Sequence, residues 1–426
     1  MTPEIKIRIE QIRRGEVPKG YKKKKAGILP ADWDVYMLGN CLSRVERPVE
    51  VRPNELYTQI GIRSHGKGLF YKEPVTGAAL GNKSVFWIEP DCFILNIVFA
   101  WEQAIGKTTQ FEVGMIGSHR FPMYRPINDA VDIDYLISYF LTKRGSDILE
   151  AASPGGAGRN KTLGQDSFLK SKIVLPPIEE QQKISEILTA QDKVIELKEK
   201  LLAEKQRQKK YLMQQLLTGK KRMPGFDGEW ETKLLKQLSE KQKKKNTGFQ
   251  YNLVLSNSAQ HGIVSQDQEF DKEIANEERI DAYYIVVPGA FVYNPRISVT
   301  APCGPINVNE TGKIGVMSPL YTVFTILSSE INQNFLKYYF QSSCWYKYVK
   351  GVANYGARHD RISISDKDFF DMSIPLPPNE EQSAIAEVLS TADRELDLLW
   401  QDIEQEKQKK KALMQLLLTG LVRVNV

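Results

Sequence analysis

Three stretches of the sequence carry residue types associated with chemistry on phosphate or methyl groups. Ala104–Thr109 reads AIGKTT, like the closing part of a loop whose backbone N–H groups and lysine cradle phosphate oxygens. That loop needs a glycine five residues before Gly106, and Trp101 stands there instead. Ser153–Gly158 reads SPGGAG but lacks the strand, GxGxxG and helix setting of a dinucleotide site. Tyr293-Asn294-Pro295-Arg296 only echoes the Asn/Asp-Pro-Pro-aromatic tetrapeptide of amino-methyltransferases. The four histidines (His65, His119, His261, His359) and four cysteines (Cys41, Cys92, Cys303, Cys344) are dispersed, with no CxxC pair. Neither a zinc site nor a disulfide framework is expected. No catalytic residue and no metal ligand is assigned, and the glycine-rich pieces are read as loop formers.

The elements that would position any site have to be found by other means. At 426 residues, with 42% hydrophobic and 10% aromatic residues, the chain has material for more than one core and is expected to be folded and soluble. Its longest apolar run, around Ile94–Ala100, is too short to cross a bilayer. The opening MTPEIKIRIE places charges where a signal peptide would need an apolar stretch, so a cytoplasmic location is expected. The net charge of +6 is mild, but basic runs recur at Lys22–Lys25, Lys220–Arg222, Lys241–Lys245 and Lys409–Lys411.

An internal repeat organises the chain. Residues 175–222 and 376–423 align without a gap at an offset of 201, with 21 of 48 positions identical. Each copy explains itself as a helix. The Pro-Pro pairs (Pro176, Pro177; Pro377, Pro378) suit a helix start. Glu179, Glu180 and Glu380, Glu381 then sit at the positive end of the helix dipole, and Gly219 and Gly420 suit a left-handed stop. The rod between them is roughly 60 Å long. Leu188, Ile195, Leu202 and Leu216 in one copy, and Leu389, Leu396, Ile403 and Leu417 in the other, follow a heptad seam. Lys205, Lys209, Glu406 and Lys410 make the seam polar near its middle, where register or a third partner matters. Pairing of the two rods is expected, preferably antiparallel.

Each helix follows a similar segment, opening at Trp33 and Trp230. Both contain a polar turn (IRSHGKGLF, 62–70; LSNSAQHGIV, 255–264), a β-rich centre and a short amphipathic helix (DYLISYFLTKRG; NFLKYYFQSS). Both end in a basic loop (GGAGRNKTL, 155–163; NYGARHDRI, 354–362) and a Phe-bearing strand leading to Leu-Pro-Pro. The fold class expected is α+β, with two similar modules joined by two long helices. The expected divisions are an N-terminal segment 1–32, module one at 33–174, the central helix at 175–222, module two at 223–374 and the C-terminal helix at 375–426.

The whole chain resembles the specificity subunit of type I restriction–modification systems. The resemblance rests on LPPIEEQ and LPPNEEQ, on KKYLMQQLLTGKKR and KKALMQLLLTGLVR, and on their placement after two variable modules. RRGEVPKGYKKKKAGILPADW (Arg13–Trp33) resembles a family N-terminus, and GVMSPLYTVF after FVYNPRIS resembles one class of target-recognition domain. The resemblance implies that each module is a target-recognition domain reading one half of a split site on double-stranded DNA. It implies that the helices form an antiparallel coiled coil that fixes the gap and docks two modification methyltransferase subunits. Restriction/translocase subunits would join that core. S-adenosylmethionine, ATP and magnesium would be held by those partners and none by this chain. The N-terminal segment would pack near the end of the second helix, giving pseudo-twofold symmetry.

Reading bases requires phosphate anchors and base-edge donors or acceptors, and the paired polar loops offer both. In module one the candidates are Arg63, Ser64, His65, Lys67, Arg159, Asn160 and Lys161. In module two they are Ser256, Asn257, Ser258, Gln260, His261, Tyr355, Arg358, His359 and Arg361. Two other readings stand beside this one: a coiled-coil scaffold with two protein-binding heads, and a specificity polypeptide for a simpler system with a fused methyltransferase–nuclease. An unrecognised enzyme ranks last.

Overall fold

The computed structural model describes residues 2–25, 27–156, 161–266, 277–354 and 360–424. The chain divides into two compact units: Met1–Lys198 with Asp402–Val426, and Glu199–Gln401. The division falls inside both long helices, Ile178–Leu216 and Asn379–Leu417, each of 39 residues.

Unit 1 is built on a four-stranded antiparallel sheet in the order Ile105–Lys107, Phe93–Leu95, Met123–Pro126, Leu42–Val45. Smaller pairs flank it: Val85–Trp87 with Ile116–Ser118, the hairpin Ile60–Ile62 with Leu69–Tyr71, and Asp34–Met37 with Lys172–Leu175. Phe93, Phe140 and Phe168 pack together in the core, with Trp33 fully buried nearby. Unit 2 repeats this plan. Its sheet runs Ile306–Val308, Phe291–Tyr293, Thr322–Ile326, Ser239–Lys241. Its flanking pairs are Tyr284–Val286 with Gly315–Met317, the hairpin Leu255–Ser258 with Gly262–Ser265, and Glu231–Leu234 with Ser373–Leu376. The amphipathic helices form at Ile133–Phe140 and Gln333–Gln341, each started by a side chain, Asp132 or Asn332, that accepts N–H groups of its first turn.

One local expectation changes. The Phe-bearing pieces before Leu-Pro-Pro are short helices, Gln165–Lys170 and Asp366–Phe370, and the strands begin only at Lys172 and Ser373. In the second, Ser365 caps the turn by accepting the Asp368 N–H, which favours a helix start over extension.

Within each unit the two long helices run antiparallel, since later residues of one meet earlier residues of the other. In unit 1, Gln191 donates to Glu406 (2.7 Å), Lys198 pairs with Asp402 (2.8 Å), and Lys410 pairs with Asp192 (2.5 Å). In unit 2, Lys205 pairs with Glu395 (2.6 Å) and Lys209 with Asp393. The polar middle of the seam is therefore spent on interhelical ion pairs that fix register. Its apolar ends join the cores, through Ile184, Leu188 and Leu417 in unit 1 and Leu216, Ile385 and Leu389 in unit 2.

The chain's beginning meets its end inside unit 1. The Tyr21 hydroxyl donates to the Gly420 carbonyl (2.8 Å), and the Arg423 fork spans both Asp32 oxygens (2.9 and 2.6 Å). Gly420 is left-handed (φ +71°), and a Cβ there would lie 2.7 Å from Pro30. Only glycine fits both constraints.

Candidate nucleic-acid interface

The polar stretches in question sit on corresponding elements of the two units. In unit 1 the first forms the turn of the hairpin Ile60–Ile62 with Leu69–Tyr71. His65 (φ +60°), Gly66 (φ +63°) and Gly68 (φ +72°) all take left-handed conformations to make it. The turn is held to the short helical turn Ala100–Glu102: the His65 and Gly66 N–H groups donate to Glu102 and Gln103 carbonyls (2.7 and 2.9 Å). The same turn receives the second loop. Lys161 lies over the Trp101 ring at 5.2 Å, and the Leu163 N–H donates to the Ile97 carbonyl (2.8 Å). Two loops far apart in sequence thus converge on the segment that follows strand Phe93–Leu95.

Unit 2 makes the same convergence after strand Phe291–Tyr293. The Asn294 side chain donates to the Asn257 carbonyl (2.9 Å), tying in the hairpin. The Ile362 N–H donates to the Pro295 carbonyl and the Ile297 N–H to the Asp360 carbonyl (both 3.0 Å), tying in the stem of the second loop. A cleft opens between them, lined by Ser256, Ser258, Asn294, Arg296, Ser298 and Arg361.

The side chains sort themselves by burial and partner. His65, Lys67, Gln260 and His261 are exposed, while Ser256, Ser258 and Arg361 are half-buried. Arg63 is exposed, lies over the Phe70 ring and donates to the Leu69 carbonyl (2.6 Å). Ser64 donates to Glu102 (2.8 Å), and Lys161 is paired with Glu150 (2.8 Å) besides its stacking on Trp101. Both are structural ties, each joining its loop to an acid outside it. Asn257 is a correction. It is 2% exposed, donates to the Val292 and Pro305 carbonyls (2.7 and 3.3 Å) and accepts from Asn307 (2.7 Å). Strand alternation turns it inward with Leu255, while Ser256 and Ser258 face the other way. Arg159, Asn160, Tyr355, Arg358 and His359 lie outside the described residues.

Sequence reading missed Asn294 and Arg296, although Tyr293–Arg296 drew notice as a methyltransferase echo. The available signal was the recurrence of Phe-x-x-Asn, Phe93–Asn96 and Phe291–Asn294, at the end of matching strands. It also missed the acids that brace unit 1. Tyr71 donates to Glu112 (2.5 Å), and burial together with this carboxylate raises the phenol to about 12.

Each unit also holds the same constellation at the start of its long helix. Glu180 accepts the Trp33 indole N–H (2.9 Å) and a two-pronged contact from Arg423 (2.6 and 2.8 Å). Glu381 accepts the Trp230 indole N–H (3.0 Å) and the same fork from Arg222 (2.8 and 2.7 Å). Burial pushes the Glu381 carboxyl up, but Arg222, the indole and the Met223 N–H outweigh it and hold the group below its usual range. The next residues repeat as well. Gln181 accepts the Asp132 N–H and donates to the Ala130 carbonyl (3.0 and 3.3 Å). Gln382 does the same for Asn332 and Glu330 (2.7 and 2.8 Å). Each helix start is thereby locked to the amphipathic helix of its module.

Among the described residues no group of His, Cys, Asp and Glu side chains is arranged to hold a metal ion, and no helix is long and apolar enough to cross a membrane. The chain is similar to two proteins of Methanocaldococcus jannaschii. One, a putative type I restriction enzyme MjaX specificity subunit, is 24% identical over 95% of this chain and 97% of its own length. The other, the type I restriction enzyme MjaVIII specificity subunit, is 24% identical over 95% and 96%. Among solved structures, the HsdS subunit from Thermoanaerobacter tengcongensis has a similar fold, with TM-score 0.53 and 18% identity over 94% of this chain and 100% of that one. A chain from work on complex assembly and conformational transition of the type I R-M system reaches 0.59 at 19% identity, over 92% and 99%. The family description "Type I restriction modification DNA specificity domain" matches residues 85–206 and 227–408. With well over half of its residues matched, the chain belongs to the type I restriction–modification DNA specificity family.

Proposed function

We propose that this chain is the DNA-reading subunit of a type I restriction–modification complex, with each module contacting one half of a bipartite duplex target. The observation that carries the reading is the duplicated convergence. In each unit two polar loops meet on the segment after the Phe-x-x-Asn strand, over a frame that is the same in both, while the loop residues themselves differ. A common frame with divergent surfaces suits two heads that read different half-sites by base-edge contacts. The exposed His65, Lys67, Gln260 and His261, with Arg63 and Arg361, are the described candidates for those contacts.

The long helices act as a ruler and as the dock for two modification methyltransferase subunits, with restriction/translocase subunits joining that core. A 39-residue helix is about 58 Å long, so its length can set the gap between half-sites. The chain itself does no chemistry. S-adenosylmethionine, ATP and magnesium belong to the partners, and the complex works in the cytoplasm.

Mapping modified bases in DNA exposed to this chain with its methyltransferase partner tests the reading. The expected pattern is two specific half-sites separated by a fixed gap. Exchanging residues 230–374 for another module should rewrite one half-site and leave the other. Rewriting of both, or modification without sequence preference, would refute separate reading heads.

A further inference from the structure

Arg296 and Arg361 form a bridge pair across adjacent antiparallel segments of unit 2. The flanking residues, Ile297 to Asp360 and Ile362 to Pro295, make the backbone hydrogen bonds. The two arginines thus face each other in a non-hydrogen-bonded pair, where cross-strand side chains come closest. Like charges directly opposite destabilise a strand pair. Among the described residues the only carboxylate paired with either is Asp360, which meets both through Nε at the long end of ion-pair range (4.0 and 3.8 Å). The fold therefore concentrates two guanidinium forks, incompletely neutralised, on a cleft whose other lining includes hydroxyls and an amide: Ser256, Ser258, Asn294 and Ser298.

The corresponding place in unit 1 differs. There the Leu163 N–H donates to the Ile97 carbonyl as Ile362 does to Pro295, so Thr162 and Val98 stand where unit 2 has Arg361 and Arg296. The frame does not need arginines at these positions. Their exposures also differ within unit 2: the Arg361 side chain is 30% exposed, set into the cleft, and that of Arg296 is 62% exposed at its rim.

We infer that Arg361 reads a guanine in the half-site of module two while Arg296 anchors a neighbouring phosphate. Guanine is the base that offers two acceptors, N7 and O6, on its major-groove edge, and these match a guanidinium fork. A rim arginine in water gains its main attraction from the backbone charge. The hydroxyls and amide beside Arg361 supply the neutral donors and acceptors for the adjoining base edges. This assignment rests on the DNA-reading function proposed above.

Selection of bound sequences from a random duplex pool, using the full chain in complex with its methyltransferase partner, tests it. The wild-type complex should return a bipartite sequence with a guanine in one half. Arg361→Ala should relax that guanine alone, by roughly 10- to 100-fold in preference, while the other half-site persists and shows that the variant is folded and assembled. Arg361→Lys should relax it less. Arg296→Ala should return the wild-type sequence with weaker binding and a salt slope reduced by about one. An unchanged sequence with Arg361→Ala, or relaxation at a base other than guanine, overturns the assignment and leaves the DNA-reading function standing. A wild-type complex that enriches no sequence overturns both.

Discussion

Glu180 and Glu381 occupy equivalent places in the repeat, and each collects the indole of its module's opening tryptophan and the arginine fork that closes the other helix copy. Arg222 and Trp230 are close neighbours along the chain, whereas Arg423 and Trp33 lie near opposite ends of it. The same constellation is thus closed by a local linker in unit 2 and by the meeting of the two chain ends in unit 1. The loops show the opposite relation, with shared positions and different residues. Ile62 and Asn257 both lie near the end of the first hairpin strand and both are buried, yet Thr162 and Val98 replace Arg361 and Arg296 on the surface. What the duplication holds constant is the placement of the paired polar loops. What it leaves free is their chemistry.

The largest effect expected from breaking this symmetry is at the buried carboxylates. Glu381 is fully buried and Arg222 keeps 26% of its side chain exposed. Removing Glu381 strands the arginine and the indole N–H, so Glu381→Ala should destabilise unit 2 by about 3 kcal/mol, the low end for a broken buried pair. Glu180→Ala should act on unit 1 in the same direction but less, because Arg423 retains a two-pronged contact to a second acid, Asp32, where Arg222 retains a hydrogen bond to the Gly228 carbonyl. Hydrogen exchange resolved by segment checks both. Exchange that speeds up equally in both units for either variant would show that the constellations are not local to their units.

Asn257 gives a smaller effect that separates frame from surface. Asn257→Ala leaves the Val292 carbonyl without its side-chain donor and should lower stability by about 1–3 kcal/mol while the modified half-sites stay the same. Urea unfolding together with base-modification mapping checks this. A changed half-site with unchanged stability would return Asn257 to the reading surface.

Asn257 also shows why the site was only partly legible in the sequence. The helices were readable because their signals are local: Pro-Pro starts, Gly219 and Gly420 stops, and a heptad seam whose Leu188, Ile195, Leu389, Ile403 and Leu417 are indeed buried. The hairpins were readable as polar turns ending in glycine. The side chains on them were not. Ser256-Asn257-Ser258 looks like one polar loop until strand alternation divides it into two faces. Ser64 and Lys161 look free until the fold brings Glu102 and Glu150 to them from 38 and 11 residues away. Partners brought together by the fold in this way leave no periodicity to detect.

The smallest expected effect lies in the seam, where the two units differ in sign. Repeat-equivalent positions 205 and 406 are lysine and glutamate: Lys205 pairs with Glu395 in unit 2, and Glu406 accepts from Lys198 (2.9 Å) and Gln191 (2.7 Å) in unit 1. The Lys198 hydrogen bond first, then that from Gln191, lowers the Glu406 carboxyl to about 2. A carboxyl depressed in the folded state stabilises it above the unfolded value near 4.5, and that contribution fades as pH falls from there toward 2. Glu406→Gln should therefore lower the urea midpoint of unit 1 at pH 7, and the gap from wild type should close progressively below about pH 4.5. At pH 7 it should also narrow modestly with added salt, because both side chains keep part of their surface in water (25% and 17% exposed). A gap that stays constant from pH 7 to pH 3 would mean that Gln191 alone, and not the charge, holds this stretch of the seam in register.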